Sequence, residues 1–265
     1  MNLMTLTLII SILLGWLAGW LVNYLGDVLP LTRSFSQPVC LQCGAPFSWK
    51  DYLLFQRCPN GHSRNARTWV FQTLVLAGSI YTGIHPPDKL GYFLGLVLIV
   101  YFGVVFVIDL EHRLILHPTS MFGAVLGLIV GTVSYGIMPT LWGGLGGLLI
   151  MLAFYYFGVI FSRIRNRRLI ALGKEPDDEE SLGAGDVILV TILGFVLGWP
   201  LIWFGLLMGI LLGGLVSVLI ILWTVLRSGY KQNALMMFIP YGPYFIISAS
   251  LIVFLPKFVA MIVPG

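Results

Sequence analysis

Two aspartates stand where long apolar segments meet polar sequence. Asp109 ends the apolar run VYFGVVFVID, and Asp186 begins another apolar run. An ionisable residue at the edge of a membrane span is costly, and the usual reason to keep one is function. Two carboxylates brought together can share a proton, so that one activates a water while its protonated partner polarises a peptide carbonyl. The pair therefore favours aspartyl hydrolysis of a peptide over the alternative of two hydrated helix-end residues.

The glycines before the second aspartate fit this chemistry. Gly183 and Gly185 flank Ala184 in the string GAGD. Glycine has no Cβ atom, so it permits a tight turn and a close backbone approach. We expect these two glycines to leave room for an extended substrate beside Asp186.

A second constellation lies nearer the N-terminus. Its members are all the cysteines of the chain and one histidine, namely Cys40, Cys43, Cys58 and His62. Three cysteines are too few for a disulfide scaffold, and their clustering indicates a local metal site. The spacing is typical of a Cys₃His zinc centre. The alternative is a set of free cytosolic thiols beside an unrelated histidine.

The elements that position these residues must be membrane helices. Hydrophobic residues make up 58% of the 265 and charged residues only 10%, with a mean hydropathy of +0.94. A soluble domain carries about 25% charged residues, so lipid must be the main solvent. The predicted fold is all-α and polytopic, with apolar runs long enough to span at 3–25, 69–84, 91–108, 119–138, 140–161, 186–199, 200–226 and 239–262.

The basic residues predict the orientation of these eight spans. Alternation through the spans leaves only Lys89 and Lys257 on one side, so thirteen of the fifteen basic residues fall on the other. Cytoplasmic loops carry the excess of Lys and Arg. We therefore expect both aspartates and the cysteine loop on the cytoplasmic side and both termini outside. Because topology accounts for the basic residues, they give no reason to expect a nucleic-acid partner.

Three segments carry a family resemblance: FVIDLEHRLI, SLGAGDVILVTILGFVLGW and IPYGPYFIISA. They resemble the prepilin peptidases, the type IV leader peptidases of bacterial pilus and type II secretion systems. Gly19, Asn23 and Pro30 extend the resemblance to the N-terminus. The chain departs from the family pattern at Pro118, which follows the first aspartate at a greater distance than usual, and at Ile188, where the family usually has lysine.

The resemblance implies a function and its partners. Asp109 and Asp186 would be the catalytic pair, in the inner membrane of a bacterium. The substrates would be prepilins or pseudopilins, cut at the cytoplasmic face between a short basic leader and a hydrophobic helix. The resemblance leaves open which prepilins are cut, whether the system serves pili, secretion or competence, and the oligomeric state.

Bifunctional members of this family carry a CxxC…CxxC loop and also methylate the new N-terminus with S-adenosylmethionine. In this chain Gly61 occupies the fourth-cysteine position, and His62 would supply the missing zinc ligand. Val28 and Gln72 stand where the family has arginine and glutamate. Loss of the glutamate removes a group suited to accommodate the amine proton, so we expect cleavage without efficient methylation.

These observations divide the chain into residues 1–68, with the first span and the cysteine loop, and residues 69–265, the peptidase domain. The alternative from another class is a transporter or channel in which the same carboxylates bind a cation or relay protons. That class predicts carboxylates near mid-membrane and broken helices or repeat symmetry, which the sequence lacks. A preflagellin peptidase is the nearest enzymatic alternative, and the N-terminal match with the cysteine loop favours the prepilin branch.

Overall fold

A computed structural model describes residues 3–171, 183–228 and 240–257. These residues are almost entirely helical, and the only β pairing among them is an isolated bridge between Val39 and Pro46. The helices in chain order are α1 (Leu3–Thr32), α2 (Trp49–Leu53), α3 (Ala66–Ile84), α4 (Gly91–His112), α5 (His117–Tyr135), α6 (Ile137–Ala171), α7 (Ala184–Leu197), α8 (Leu201–Ser228) and α9 (Gly242–Phe254). The expectation of an all-α chain is confirmed.

Each of the eight predicted spans corresponds to a helix, and α2 is an additional short helix in the cysteine loop. Five helices are long and apolar enough to cross a membrane, namely α1, α4, α5, α6 and α8. The helices α7 and α9 are apolar but shorter. The protein is therefore a polytopic membrane protein.

Several helices continue past the apolar runs that predicted them. α4 continues past the predicted end at 108 to His112, and α6 continues through the basic run to Ala171. Intrahelical hydrogen bonds do not need an apolar environment, so a helix can extend beyond the segment that lipid surrounds. The predicted break at Trp199-Pro200 is present, because α7 ends at Leu197 and α8 begins at Leu201. The predicted acidic loop 174–181 lies outside the described residues.

The described residues form two compact units, one within Met1–Gly123 and Val253–Gly265, the other within Ala124–Ile252. In the first unit α1 packs against α3 and α4, which also contact each other. Their shared core is aliphatic and aromatic, with Val22, Phe71, Val75, Val104 and Ile108 among its buried members. The division into residues 1–68 and 69–265 stays a prediction.

In the second unit α6 packs along α7 with very close backbones. A Cβ atom on Gly194 would lie 2.8 Å from the carbonyl carbon of Gly143 and 2.9 Å from the Cα of Gly144. A Cβ atom on Gly147 would lie 2.8 Å from the carbonyl oxygen of Val190. Real Cβ atoms do not approach this closely, so glycine is required for the observed packing. Small residues permit such approach between membrane helices, where apolar burial gives little drive for association.

Candidate active site and metal centre

Asp109 lies in the last turn of α4, in the first unit. The helix continues three residues further to His112. The capping residue Arg113 adopts the left-handed conformation (φ 53°) and donates its backbone N–H to the carbonyl of Asp109 at 2.9 Å. The aspartate is 5% exposed. A negative charge is disfavoured at the C-terminal end of a helix. A buried acidic group in this position is therefore expensive, which agrees with a functional role.

Asp186 lies in the first turn of α7, in the second unit. Its side chain is half-buried, and its backbone N–H donates to the carbonyl of Gly183 at 3.0 Å. The N-terminal end of a helix favours a negative charge. The two aspartates thus occupy opposite kinds of helix end, each at the end of an apolar helix.

The backbone conformation before Asp186 bears on the two glycines that were expected to make room for substrate. Gly183 caps α7 in an extended conformation (φ −75°, ψ 142°) that any residue can adopt. A Cβ atom on Gly183 would lie 3.8 Å from a carboxylate oxygen of Asp186, in ordinary van der Waals contact. Left-handed backbone geometry is therefore not the reason for glycine at Gly183. The expectation that Gly183 and Gly185 make room for substrate stays a prediction.

The cysteines and the histidine come together in the loop between α1 and α3. One ligand atom from each of Cys40, Cys43, Cys58 and His62 lies within 4.8 Å of all the others. The Sγ atoms of Cys43 and Cys58 are 3.4 Å apart. Tetrahedral zinc with Zn–S bonds of about 2.3 Å requires sulfurs roughly 3.8 Å apart. The donor set and its spacing therefore fit a structural Cys₃His zinc site.

Two glycine turns build this centre. Gly44 (φ 71°) follows the CxxC pair, and its N–H donates to the carbonyl of Cys40 at 2.7 Å. Gly61 (φ 84°) donates to the carbonyl of Cys58 at 2.8 Å in the same manner. The left-handed conformation at both positions favours glycine. The turn at Gly61 carries the next residue, His62, to the position where it completes the ligand set.

The electrostatics of the loop also suit a metal. Hydrogen bonds from the backbone of Ala45 and from Cys58 lower the pKa of the Cys43 thiol to about 6. Both N–H groups of Asn60, on its backbone and its side chain, point at sulfurs at 3.4 Å, the first at Cys58 and the second at Cys43. Nδ1 of His62 is buried without a hydrogen-bond partner among the described residues. Thiolate character and an unsatisfied ring nitrogen are what a metal-binding group requires.

A buried polar network lies next to the metal centre, and sequence reasoning did not find it. Arg67 forms ion pairs with Asp27 of α1 and with Glu111 of α4. Tyr52 of α2 donates its hydroxyl to the second oxygen of Asp27 at 2.6 Å. Burial and the charge of Asp27 raise the pKa of Tyr52 well above its usual range. The one indication of this network in the sequence is that Asp27, Arg67 and Glu111 carry opposite charges at the ends of otherwise apolar runs.

Comparison with known proteins now adds the family. The fold is that of a polytopic, all-α membrane protein with an aspartate at the end of each of two apolar helices. Residues 96–218 match the model of the type IV leader peptidase family, and this segment of the chain is similar to that family. The match confirms the resemblance and includes both Asp109 and Asp186, while the cysteine loop precedes it. No curated protein and no solved structure matches the chain.

Proposed function

We propose that this protein is an aspartyl endopeptidase that removes the leader peptide of type IV prepilins or pseudopilins. The observation that carries the proposal is the position of the two aspartates within the matched segment 96–218. Each lies at the end of an apolar helix, and one of them is buried. The family supplies the peptidase activity in general, and these two residues give it a mechanism.

In this mechanism Asp109 and Asp186 share one proton. The ionised carboxylate takes a proton from a water molecule, which attacks the scissile carbonyl carbon. The protonated carboxyl donates a hydrogen bond to the carbonyl oxygen, which gains negative charge as the tetrahedral intermediate forms. Collapse of the intermediate breaks the C–N bond, and the amine leaves with a proton from the pair.

The substrate follows from the surroundings of the carboxylates. Both lie at ends of apolar helices, where a substrate can keep a hydrophobic helix in lipid and its leader in water. The distribution of basic residues favours the cytoplasmic face of a bacterial inner membrane, with both termini outside. A short basic leader would also be attracted to an acidic site.

Co-expression with a prepilin tests the proposal. Wild type, Asp109→Asn and Asp186→Asn are compared for leader removal by immunoblot and mass measurement of the pilin. Loss of one member of an acid–base pair is expected to slow cleavage by about 100- to 10,000-fold. Asp88→Asn is the matched control, because Asp88 is an exposed residue in the loop between α3 and α4. Normal processing by either of the first two variants would remove that residue from the mechanism.

The metal centre is proposed to hold structural zinc. Cys40, Cys43, Cys58 and His62 would bind the ion, which would order the loop and leave no open position for a reacting group. Proteolysis by the two aspartates requires no cofactor.

Methylation of the new N-terminus is proposed to be absent or inefficient. Gln72 is 1% exposed, and both ends of its amide are occupied within the α1–α3 packing. Its Nε2 donates to the carbonyl of Trp16 at 2.9 Å, and its Oε1 accepts from Asn23 at 3.4 Å. Val28 is also buried, 3% exposed, in the apolar core beneath the loop. A neutral amide does not accept a proton from an amine, and Gln72 and Val28 are enclosed in helix packing, which supports the absence of efficient methyl transfer.

Mass spectrometry of the mature pilin tests this point. The N-terminal peptide produced in cells is expected to carry a free, unmethylated amine. A stoichiometric methyl group that depends on this protein would contradict the proposal.

A further inference from the structure

The cysteine loop is physically connected to the helix that carries Asp109. The connection starts at Tyr52, which is 1% exposed within the loop. Arg64, two residues after His62, donates to the carbonyl of Tyr52 at 2.8 Å and lies over its ring at 4.0 Å. Tyr52 then donates its hydroxyl to Asp27 at 2.6 Å. Tyr52 is therefore one of the buried aromatic side chains that attach the loop to α1.

Arg67 extends this connection to α4. Its guanidinium uses one terminal nitrogen for Asp27 and the other for Glu111, the latter at 2.8 Å. The side chain of Arg67 is 11% exposed, and those of Asp27 and Glu111 are 9% and 29% exposed. The buried pair with Asp27 is screened little by salt, and it holds the guanidinium in place to bond the more exposed Glu111. One side chain of α3 thus binds both α1 and α4.

The attachment point on α4 is close to the aspartate. Glu111 follows Asp109 by two residues, in the final turn before the helix ends at His112. Final turns of helices fray because their last carbonyls lack intrahelical partners. Residues two apart on a helix point to nearly opposite sides. An ion pair at Glu111 therefore fixes the rotation of the last turn and, with it, the direction of the Asp109 side chain.

We propose that Arg67 is a positioning residue, which holds the end of α4 and thereby aims the carboxylate of Asp109. The cysteine loop, which the proteolytic chemistry does not use, then acts as the anchor of this arrangement through Tyr52 and Asp27. The inference rests on the proposed function of Asp109 as a catalytic residue. It gives the loop a role in cleavage that does not require methylation.

Steady-state kinetics of the purified full-length protein in lipid vesicles test this role. Arg67→Gln is expected to lower kcat for leader cleavage by about 10- to 100-fold, because small errors in the placement of a reacting group cost factors of this size. KM is expected to change by less than about threefold, since Arg67 is not proposed to touch the substrate. Glu111→Gln is expected to give a similar loss. It removes the less buried partner and so provides a second variant if Arg67→Gln folds poorly.

The double variant and the conservative variant separate positioning from general stability. Arg67→Gln combined with Glu111→Gln is expected to be no slower than the slower single variant, because both changes break one interaction. Arg67→Lys keeps the positive charge but lacks the two terminal nitrogens that bond Asp27 and Glu111 separately. A kcat between those of the wild type and Arg67→Gln is therefore expected. Arg33→Gln, at an exposed cytoplasmic arginine in the same unit, is the matched control and is expected to keep the wild-type kcat.

Comparison of these variants with Asp109→Asn separates failure of the positioning role from failure of the proposed function. If Asp109→Asn is inactive while Arg67→Gln and Glu111→Gln keep the wild-type kcat, positioning by Arg67 is wrong and the protease assignment stands. Losses that multiply in the double variant, or that appear only in KM, would also overturn it. If Asp109→Asn cleaves at the wild-type rate, both the assignment of this residue and the positioning role are wrong.

Discussion

In the unit that contains Asp109, polar side chains link the helices around an apolar core, among them Asn23, Gln72 and the ion pairs of Arg67. In the unit that contains Asp186, glycines lie where α6 packs on α7, and they allow the two helix backbones to be in direct van der Waals contact. Ion pairs fix the direction in which a side chain points, and a bound ion can alter them. Contact between helix backbones fixes the distance between the helices and leaves them little freedom to move. The proposed positioning of Asp109 thus depends on polar side chains, whereas the helix that carries Asp186 is held by close backbone packing.

Loss of the proposed zinc ion is expected to give the largest difference in behaviour between the two units. Structural zinc supplies much of the folding free energy of small metal-binding loops. Cys43→Ser is expected to reduce bound zinc from about one ion per chain to near zero. Hydrogen exchange is expected to accelerate in residues 34–65, while α7 keeps its protection because no ligand lies in that unit.

Elemental analysis and hydrogen-exchange mass spectrometry measure these effects. Ser36→Ala, at a serine in the same loop that is not a ligand, is the control for zinc content. Unchanged zinc in Cys43→Ser would refute the assignment of the site.

A branched side chain at the α6–α7 contact should destabilise the other unit. Gly194→Val places two methyl groups where the backbone of Gly143 already lies, and a loss of about 3 kcal/mol in the free energy of unfolding is expected. Gly214→Ala is the control, because a Cβ atom there meets nothing within 4 Å. Alanine in a helix is favoured over glycine by about 1 kcal/mol, so this control should be neutral or slightly stabilising. Equal stability of Gly194→Val and wild type in detergent unfolding would contradict the close packing.

Loss of a single hydrogen bond in the network should have the smallest effect. Tyr52→Phe removes the hydroxyl that donates to Asp27, and hydrogen bonds to charged groups contribute about 1.5 kcal/mol or somewhat more. The expected result is a stability loss near this value with zinc content unchanged. Phenylalanine keeps the ring that stacks with Arg64. A loss of zinc in this variant would instead show that Tyr52 supports the metal centre directly.

The sequence predicted the helices well and their ends less well. Apolar runs located eight of the helices, five of which are long and apolar enough to cross a membrane. The extensions of α4 to His112 and of α6 to Ala171 were missed, since hydropathy reports the lipid boundary and not the last helical hydrogen bond. The short helix α2 was missed as well, because five residues carry little periodic signal.

The clustering of the candidate metal ligands was predictable because they are close in sequence, and the polar network was not predictable. Cys40, Cys43, Cys58 and His62 lie within 23 residues of one another, so spacing alone restricts their geometry. His62 completes the cluster although Gly61 occupies the fourth-cysteine position. The left-handed turn at Gly61 makes this possible, and that turn is visible only in the structure. Arg67 is 40 residues from Asp27 and 44 from Glu111. Pairs so distant in sequence depend on how three helices pack.

The proposed function requires that Asp109 and Asp186 act as a single catalytic pair. The most direct test is the cleavage rate of a purified prepilin in vesicles by Asp109→Asn, Asp186→Asn and the double variant. Groups that act as one unit give equal losses whether one or both are removed. The account predicts that all three variants share the same low residual rate. A single variant that cleaves at the wild-type rate, or a double variant slower than either by the product of their losses, would contradict it.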